Sequence, residues 1–559
     1  MIPLPPYAAL SYVWKGSPYD SSIGQSFGVQ GGEDGDPIGI EALRHACTAA
    51  LLEGTSMLWL DRLCVLQNSR EDKAWQIEHM STIYQQCQVC LILPGGITRL
   101  VSVDEETDWI KRAWTLQEAA IPKRPVVLFA WKHGSGRWEG YNGGTRGEVR
   151  EVVVGESAMA SLLEMLKACL YPASLTWVPS TCPDEPDEFS SCILGSYGDA
   201  PVATLLWVLQ MEDRDAREMA IWQSSLLRAS SRPVDMVFSV MGMFGVTLDT
   251  KKFHKNDRVR ASVALAQEIL KRGGRPVWLA MSLDIYPSRY ISSFPDLPST
   301  NVTGTVYWKS RRGPINANVP DDIYDIEEMN EPFEDDDQSK GEHVDSVFLP
   351  FSWVMDMPPA TMDDDGYLHM TLKAAPVAFT GHIFGTRRTN LAGNNDGTYN
   401  FSDVPVGVKR IVSMDGKVWD ILKNDIPTAI VGGRKYIAFI GSSKDFPRDP
   451  VYNPNPVPIG GIILPKTSVL RAVIVEEHTP GRFHRSSSLT LGENIFQSVI
   501  EGWGEREISI GGPEPIPTLL HRQPNTPCRV LLSNLSKFCS FLTCGKYIHL
   551  RSQGDFKLK

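Results

Sequence analysis

The sequence predicts an α/β fold: a parallel sheet with intervening helices over the first 131 residues, then a mostly helical segment, then a β-rich C-terminal part. Three observations carry this. From residue 1 to about 131, short apolar runs alternate with segments of helical period, as in a parallel sheet flanked by helices. From about 151 to 285 the apolar residues recur mostly at helical spacing, and from 363 the period changes to two.

Taken in order, Tyr7 to Trp14 reads as the first strand. Asp36-Pro37 offers an N-cap and a first-turn proline, and Ile40, Leu43, Cys47 and Leu51 mark one face of the helix that follows. Residues 57 to 63 (MLWLDRL) read as the second strand. Ser69 with Asp72 resembles a capping box, opening a helix faced by Ile77, Met80, Tyr84 and Cys87. Residues 89 to 94 are the third strand. Asp108 is placed to cap a helix with the stripe Trp109, Ala113, Leu116 and Ala120, and residues 125 to 131 form the fourth strand. The glycine-rich stretch 132 to 150 reads as a connection, with neither GxGxxG nor Walker spacing. Residues 151 to 285 are expected to form a helical companion domain; Val259, Val263, Ala266 and Leu270 make a stripe closed by Gly273-Gly274. Residues 286 to 362 read as an acidic, disordered linker and 363 to 512 as a β-rich domain. In the latter, Asp415-Gly416 is the strongest hairpin signal. The tail, 513 to 559, has no pattern.

Length and charge narrow the function classes. At 559 residues the chain exceeds a single hydrophobic core. The window from Asp321 to Asp345 holds twelve acidic residues against Lys340, which accounts for the whole formal charge of −11. The remainder is neutral and gives no electrostatic footprint for nucleic acid or an anionic membrane, so neither is expected as a partner. Cysteines scattered singly, with no signal-peptide pattern and no apolar run of spanning length, point to a reducing cytoplasm. Cys87 and Cys90 have redox spacing but run from a helix end into an apolar strand, where inert core thiols are expected. No Cys or His pair stands at zinc spacing, and no metal is expected. HExxH, GxSxG and the protein-kinase motifs are missing.

Three segments, YAALSYVWKG at 7 to 16, LWLDRLCVLQNSREDKAWQIEHMSTIY at 58 to 84 and RAWTLQE at 112 to 118, resemble the fungal heterokaryon-incompatibility (HET) domain in order and spacing. SRPVDMVFSVMGMFGV, 231 to 246, is similar to the segment that follows this domain in larger members. One departure is Lys15, which separates Trp14 from Gly16 where the family usually has Trp and Gly adjacent. HET domains are in turn similar to TIR domains, which implies a flavodoxin/TIR-like sheet. Tyr7 to Tyr12 looks like the TIR opening strand, and Trp114 with Glu118 has the spacing on which catalytic TIR domains carry their glutamate.

The resemblance implies a cell-death effector of non-self recognition that is switched on by self-association through the HET domain in response to an unknown protein trigger. It also implies cleavage of the nicotinamide N-glycosidic bond of NAD, as substrate rather than permanently bound cofactor, with Glu118 as the catalytic carboxylate. Ser11, Tyr12, Trp14, Asp61, Arg62 and Trp114 would gather around it beyond the carboxyl ends of the strands. Trp14 or Tyr12 could stack on a base or nicotinamide, and Arg62 could meet a phosphate. The alternatives are a solvated helix carboxylate at Glu118, core aromatics at Trp14, Trp59 and Trp114, a loop bridge at Asp61, and a surface histidine at His79. Cys64 and Gln67 are expected to hold the loop after the second strand. In function, the alternative is a non-enzymatic assembly module that signals through a partner.

Overall fold

The computed structural model describes residues 5–16, 24–140, 146–170, 175–180, 186–195, 200–281, 286–297, 299–300, 306–310, 313–316, 353–355, 357–382, 409–413, 417–422, 433–444, 469–517, 548–549 and 557–558. Four strands, β1 (Ala8–Tyr12), β2 (Met57–Trp59), β3 (Val89–Leu93) and β4 (Pro125–Ala130), lie parallel in the order β2-β1-β3-β4. The helices between them are α1 (Ile40–Leu52), the single turn α2 (Asp61–Cys64), α3 (Arg70–Gln86) and α4 (Ala113–Ala120).

Every residue of β1 and β3 is buried, which is why these strands read as continuous apolar runs. Alternation still sorts their side chains. Tyr7 and Ala9 join Trp59, Cys90, Ile92, Val127 and Phe129 beneath Met80 and Tyr84 of α3 and Leu116 of α4. Ala8, Leu10 and Tyr12 join Leu58, Leu91 and Leu128 on the other face beneath Leu43, Ala46 and Cys47 of α1.

The sheet does not stop at β4. Strands β5 (Gly136–Gly140), β6 (Arg146–Val153), β7 (Ser157–Ser161), β8 (Leu175–Pro179) and β9 (Asp187–Phe189) extend it antiparallel in the order β4-β7-β6-β5-β8-β9. The sheet is therefore mixed, and the stretches expected as a glycine-rich connection and as the start of a helical segment contain strands. Alternation at Trp138, Val149, Leu175 and Trp177, all buried, was masked by the glycines and charges between them. The helices appear further on: α5 (Leu162–Leu170), α6 (Ala200–Gln210), α7 (Arg214–Leu226), α8 (Asp235–Met241) and α9 (Arg258–Lys271).

Several local expectations change. Asp36 does not cap α1, whose N-cap is Gly39; its Oδ2 accepts from Gly16 N at 2.8 Å instead. Of the α1 stripe, Leu43 and Cys47 are buried, while Ile40 and Leu51 are exposed. The second strand ends at Trp59 because Leu60 to Cys64 turns into α2. Asp108 precedes a 3₁₀ turn, Trp109–Lys111, without a side-chain cap bond, and α4 starts only at Ala113. Ser69 does cap α3, accepting from Asp72 N at 3.1 Å, but the Asp72 carboxylate reaches Leu66 N at 2.6 Å rather than closing a box.

The C-terminal part is β-rich, as expected. Its strands are β10 (Trp353–Met355), β11 (Ala360–Met362), β12 (Leu368–His382), β13 (Lys409–Val412), β14 (Lys417–Ile421), β15 (Lys435–Lys444), β16 (Val469–Thr479), β17 (Arg482–Gly492) and β18 (Gly504–Ile510). The long β12 pairs with both β15 and β18, so β12, β15, β16, β17 and β18 close into a ring. β13 and β14 pair antiparallel, although Asp415-Gly416 itself lies outside the described residues, as does the acidic run from Asp321 to Asp345. Residues 286 to 297, expected as linker, are packed instead. Ile291 and Phe294 are buried, Phe294 stacks on Trp278 at 5.1 Å, and Ser292 Oγ donates to Gly511 O at 3.0 Å. Two apolar anchors, together with hydrogen bonds to Arg485, Gly511, Gly512 and Glu514, dock this Pro- and Ser-rich stretch.

Candidate functional site

In the order β2-β1-β3-β4 the chain reverses direction across the sheet between β1 and β3. A doubly wound sheet opens a crevice beyond the carboxyl ends of its strands at such a point. Ser11 and Tyr12 end β1 there. Because neighbouring side chains on a strand point to opposite faces, they lead to two clusters.

On the α4 side, Ser11 Oγ donates to Glu118 Oε2 at 2.6 Å and accepts from Trp109 Nε1 at 2.9 Å. Ser11 and Trp109 are fully buried and Glu118 is half-buried. Burial pushes the Glu118 carboxyl up to about 8; the Ser11 hydroxyl opposes this, the nearby Asp61 adds to it, and Arg228 and Arg112 oppose it. A carboxyl raised this far favours its protonated form at neutral pH. A cationic substrate placed beside it would favour the ionised form.

On the other side, Asp61 collects Tyr12 OH at 2.5 Å, Trp14 Nε1 at 2.6 Å and Arg62 N at 2.7 Å. Burial raises Asp61 against the pull of these donors. It also raises the Tyr12 phenol well above its usual value, with Asp61 adding to the effect. Gln67 Nε2 donates to Asp61 O at 3.1 Å, so Gln67 holds the loop as its position suggested. Trp14 is half-buried, its indole nitrogen committed to Asp61.

Arg62 does not stand ready for a phosphate. Its side chain is 1% exposed, and its two terminal nitrogens donate to the carbonyls of Asp36 and Gly32, the latter at 2.9 Å. It clamps the loop before α1 and lies 5.7 Å from the centroid of the Trp14 ring. Trp114 is directed to α8, where Nε1 meets Asp235 Oδ2 at 3.4 Å, and does not join the Ser11–Glu118 cluster. Asp235 is raised to about 6 by burial, against Arg232 and Trp114.

Gly16 keeps its place despite Lys15. A Cβ there would lie 2.0 Å from Gly95 O, so only glycine lets the first loop meet the turn after β3.

Two residues of this site were not singled out in the sequence. Trp109 was read only as part of a helix stripe, yet it bonds Ser11. Arg228 is buried behind α4 and donates to Arg112 O at 3.0 Å and Thr115 Oγ1 at 2.8 Å. Burial lowers it to about 9 and Glu118 counteracts this. Nothing near Arg228 in sequence signals the role, because the contact spans more than a hundred residues. Next to it, Ala113 N donates to Ala229 O at 2.9 Å and Ala229 N to Lys111 O at 2.7 Å. Thr250 N and Oγ1 both reach Glu78 Oε1 at 3.0 Å. The segment 228 to 250 is therefore docked on α3 and α4.

Cys87 and Cys90 are buried free thiols, Cys87 pushed up to about 12 by burial and Cys90 well above the usual thiol range. Among the described residues Glu41, His45 and Glu156 bring possible metal-ligand atoms within 4.8 Å of one another. Arg44 already pairs with both carboxylates at 2.7 Å, which gives each a protein cation as partner. No helix among the described residues is long and apolar enough to cross a membrane.

No curated protein and no solved structure matches the chain. Residues 7–101 match the family model described as heterokaryon incompatibility protein (HET), which includes Ser11, Tyr12, Trp14, Asp61 and Arg62 and ends before Trp109, Trp114 and Glu118. The chain thus carries a heterokaryon-incompatibility (HET) domain at residues 7–101.

Proposed function

We propose that the chain is an effector of heterokaryon incompatibility that triggers programmed cell death by cleaving NAD, with Glu118 as the catalytic carboxylate. The observation that carries the reading is the Ser11–Glu118 hydrogen bond of 2.6 Å. It brings the helix carboxylate to the end of β1, at the reversal of a sheet ordered β2-β1-β3-β4. That order is the one of flavodoxin-like sheets and supports a flavodoxin/TIR-like fold for this part.

In the reaction, water adds to C1′ of the nicotinamide-bearing ribose. The C1′–N bond breaks with its electron pair going to the nicotinamide, which leaves neutral, and a proton is released. The ribose passes through an oxocarbenium-like state. An ionised Glu118 stabilises that charge, and Ser11 fixes the carboxylate by donating to one oxygen. The cationic nicotinamide ring favours ionisation of a carboxyl that burial otherwise holds protonated. Trp14 offers a half-buried aromatic face on the Asp61 side of β1.

A second reading, homotypic assembly without chemistry, draws support from α3. Trp75 is 46% exposed and stacks on His79 at 4.2 Å, with Leu66 49% exposed nearby in sequence, an apolar surface suited to self-association. Expression of the full chain in fungal cells separates the two. With chemistry at Glu118, Glu118→Gln abolishes both death and the fall in cellular NAD. With assembly alone, Glu118→Gln kills as the wild type does and Trp75→Arg does not.

A further inference from the structure

A second site lies away from the Ser11–Glu118 cluster. Between the start of α3 and residues 231 to 256 there is a cleft of about 690 Å³, lined in part by Arg70, Arg232, Lys251, Lys255, His254 and Phe253. That volume is in the range of small-molecule sites and more than a single ion requires. Among the described residues no carboxylate lines it, in a chain whose formal charge is −11.

Of the neighbouring acids, Asp249 and Asp257 are engaged by backbone donors, Lys251 N at 3.1 Å and His254 N at 2.8 Å, and Asp235 is shared between Arg232 and Trp114. Among the described residues none of Arg70, Arg232, Lys251 and Lys255 is within ion-pair distance of a carboxylate. Four cations converging on one concavity repel one another, and an anion of matching charge relieves that repulsion. Phe253 contributes an aromatic ring to the same wall, half-buried and edge-on to Phe238 at 6.0 Å.

We infer that this cleft binds a nucleoside di- or triphosphate, its phosphate chain held by Arg70, Arg232, Lys251 and Lys255 and its base lodged against Phe253. Guanidinium groups meet phosphate oxygens in bidentate fashion, the lysines act as point charges, and the ring offers a face to any base. The ligand would tie residues 231 to 256 to the HET domain, in which Arg70 lies.

Isothermal titration of the full chain at constant, near-physiological ionic strength tests this with ATP, tripolyphosphate and adenosine as probes. ATP binds saturably, one molecule per chain; tripolyphosphate binds more weakly and adenosine does not. The double variant Lys251→Ala/Lys255→Ala, in exposed positions, weakens ATP by about tenfold or more, and Lys252→Ala, outside the lining, leaves it unchanged. Arg70→Gln repeats the loss from the other wall, should the double variant fail to fold. Absence of saturable binding by either phosphate probe overturns the site. Equal weakening by Lys252→Ala reduces it to general charge attraction, and tripolyphosphate binding without ATP binding overturns the nucleotide assignment.

Discussion

Ser11 and Glu118, 107 residues apart, share a hydrogen bond of 2.6 Å that joins the C-terminal end of β1 to the second turn of α4. Ser11 in turn takes the indole proton of Trp109 at 2.9 Å, so its hydroxyl hydrogen is directed to the carboxylate. A carboxyl raised to about 8 in such a position has consequences for stability, for pH dependence and for chemistry.

Glu118 binds its proton more tightly in the folded chain than in the unfolded one. Below the unfolded value, near 4.3, both states are protonated. Between there and about 8 only the unfolded state ionises, so stability falls as pH rises through this window. Glu118→Gln, which keeps an acceptor for Ser11, is expected to melt several degrees higher than the wild type at pH 8 and close to it at pH 4. Thermal melts at the two pH values check this, and a variant less stable than wild type at pH 8 contradicts it.

Ser11→Ala removes the donor that opposes the burial of Glu118. The carboxyl should rise further, and the limb of an activity-pH profile that tracks its ionisation should move to higher pH. The same change leaves Trp109 Nε1 without its acceptor, at a cost of roughly 1–3 kcal/mol. Nicotinamide release measured against pH and urea unfolding read the two effects separately.

Asp61→Asn presents an amide where three donors converge from Tyr12, Trp14 and Arg62 N. One acceptor is lost and a donor faces a donor, so the variant should be destabilised by roughly 1–3 kcal/mol. It also removes a charge that raises Glu118. A urea midpoint equal to that of wild type would count against the cluster.

Arg228→Lys tests whether the docked segment depends on a forked donor. Nη1 donates to both Arg112 O and Thr115 Oγ1 while Nε donates to Ser224 Oγ at 3.3 Å; one ammonium does not span both positions, and the loss should be roughly 1–3 kcal/mol even though the charge is kept. Urea unfolding of the full chain measures it; an unchanged midpoint means the charge alone suffices.

How far the sequence revealed this site depends on the range of each contact. The four parallel strands were legible because burial on both faces leaves continuous apolar runs such as Val89–Leu93. The capping of α3 was legible because Ser69 and Asp72 are three residues apart. Strands β5 and β6 were not, since glycine and charge fill the positions between buried Trp138 and Val149. Glu118 was reached through family spacing, whereas Arg228 meets α4 across 113 residues at Thr115 and leaves no local signal. The burial of Arg62 was hidden for a like reason: its partners are the backbone carbonyls of Asp36 and Gly32, which any residue provides. Local periodicity records which face is buried, but it does not record what a polar side chain meets there.

The most direct test of the central claim is nicotinamide release from NAD by the purified full chain, concentrated or artificially oligomerised, beside its Glu118→Gln variant. Release by the wild type that rises with pH toward about 8 and is absent in the folded variant is the expected result. No release by folded, assembled wild type, or equal release by the variant, contradicts it.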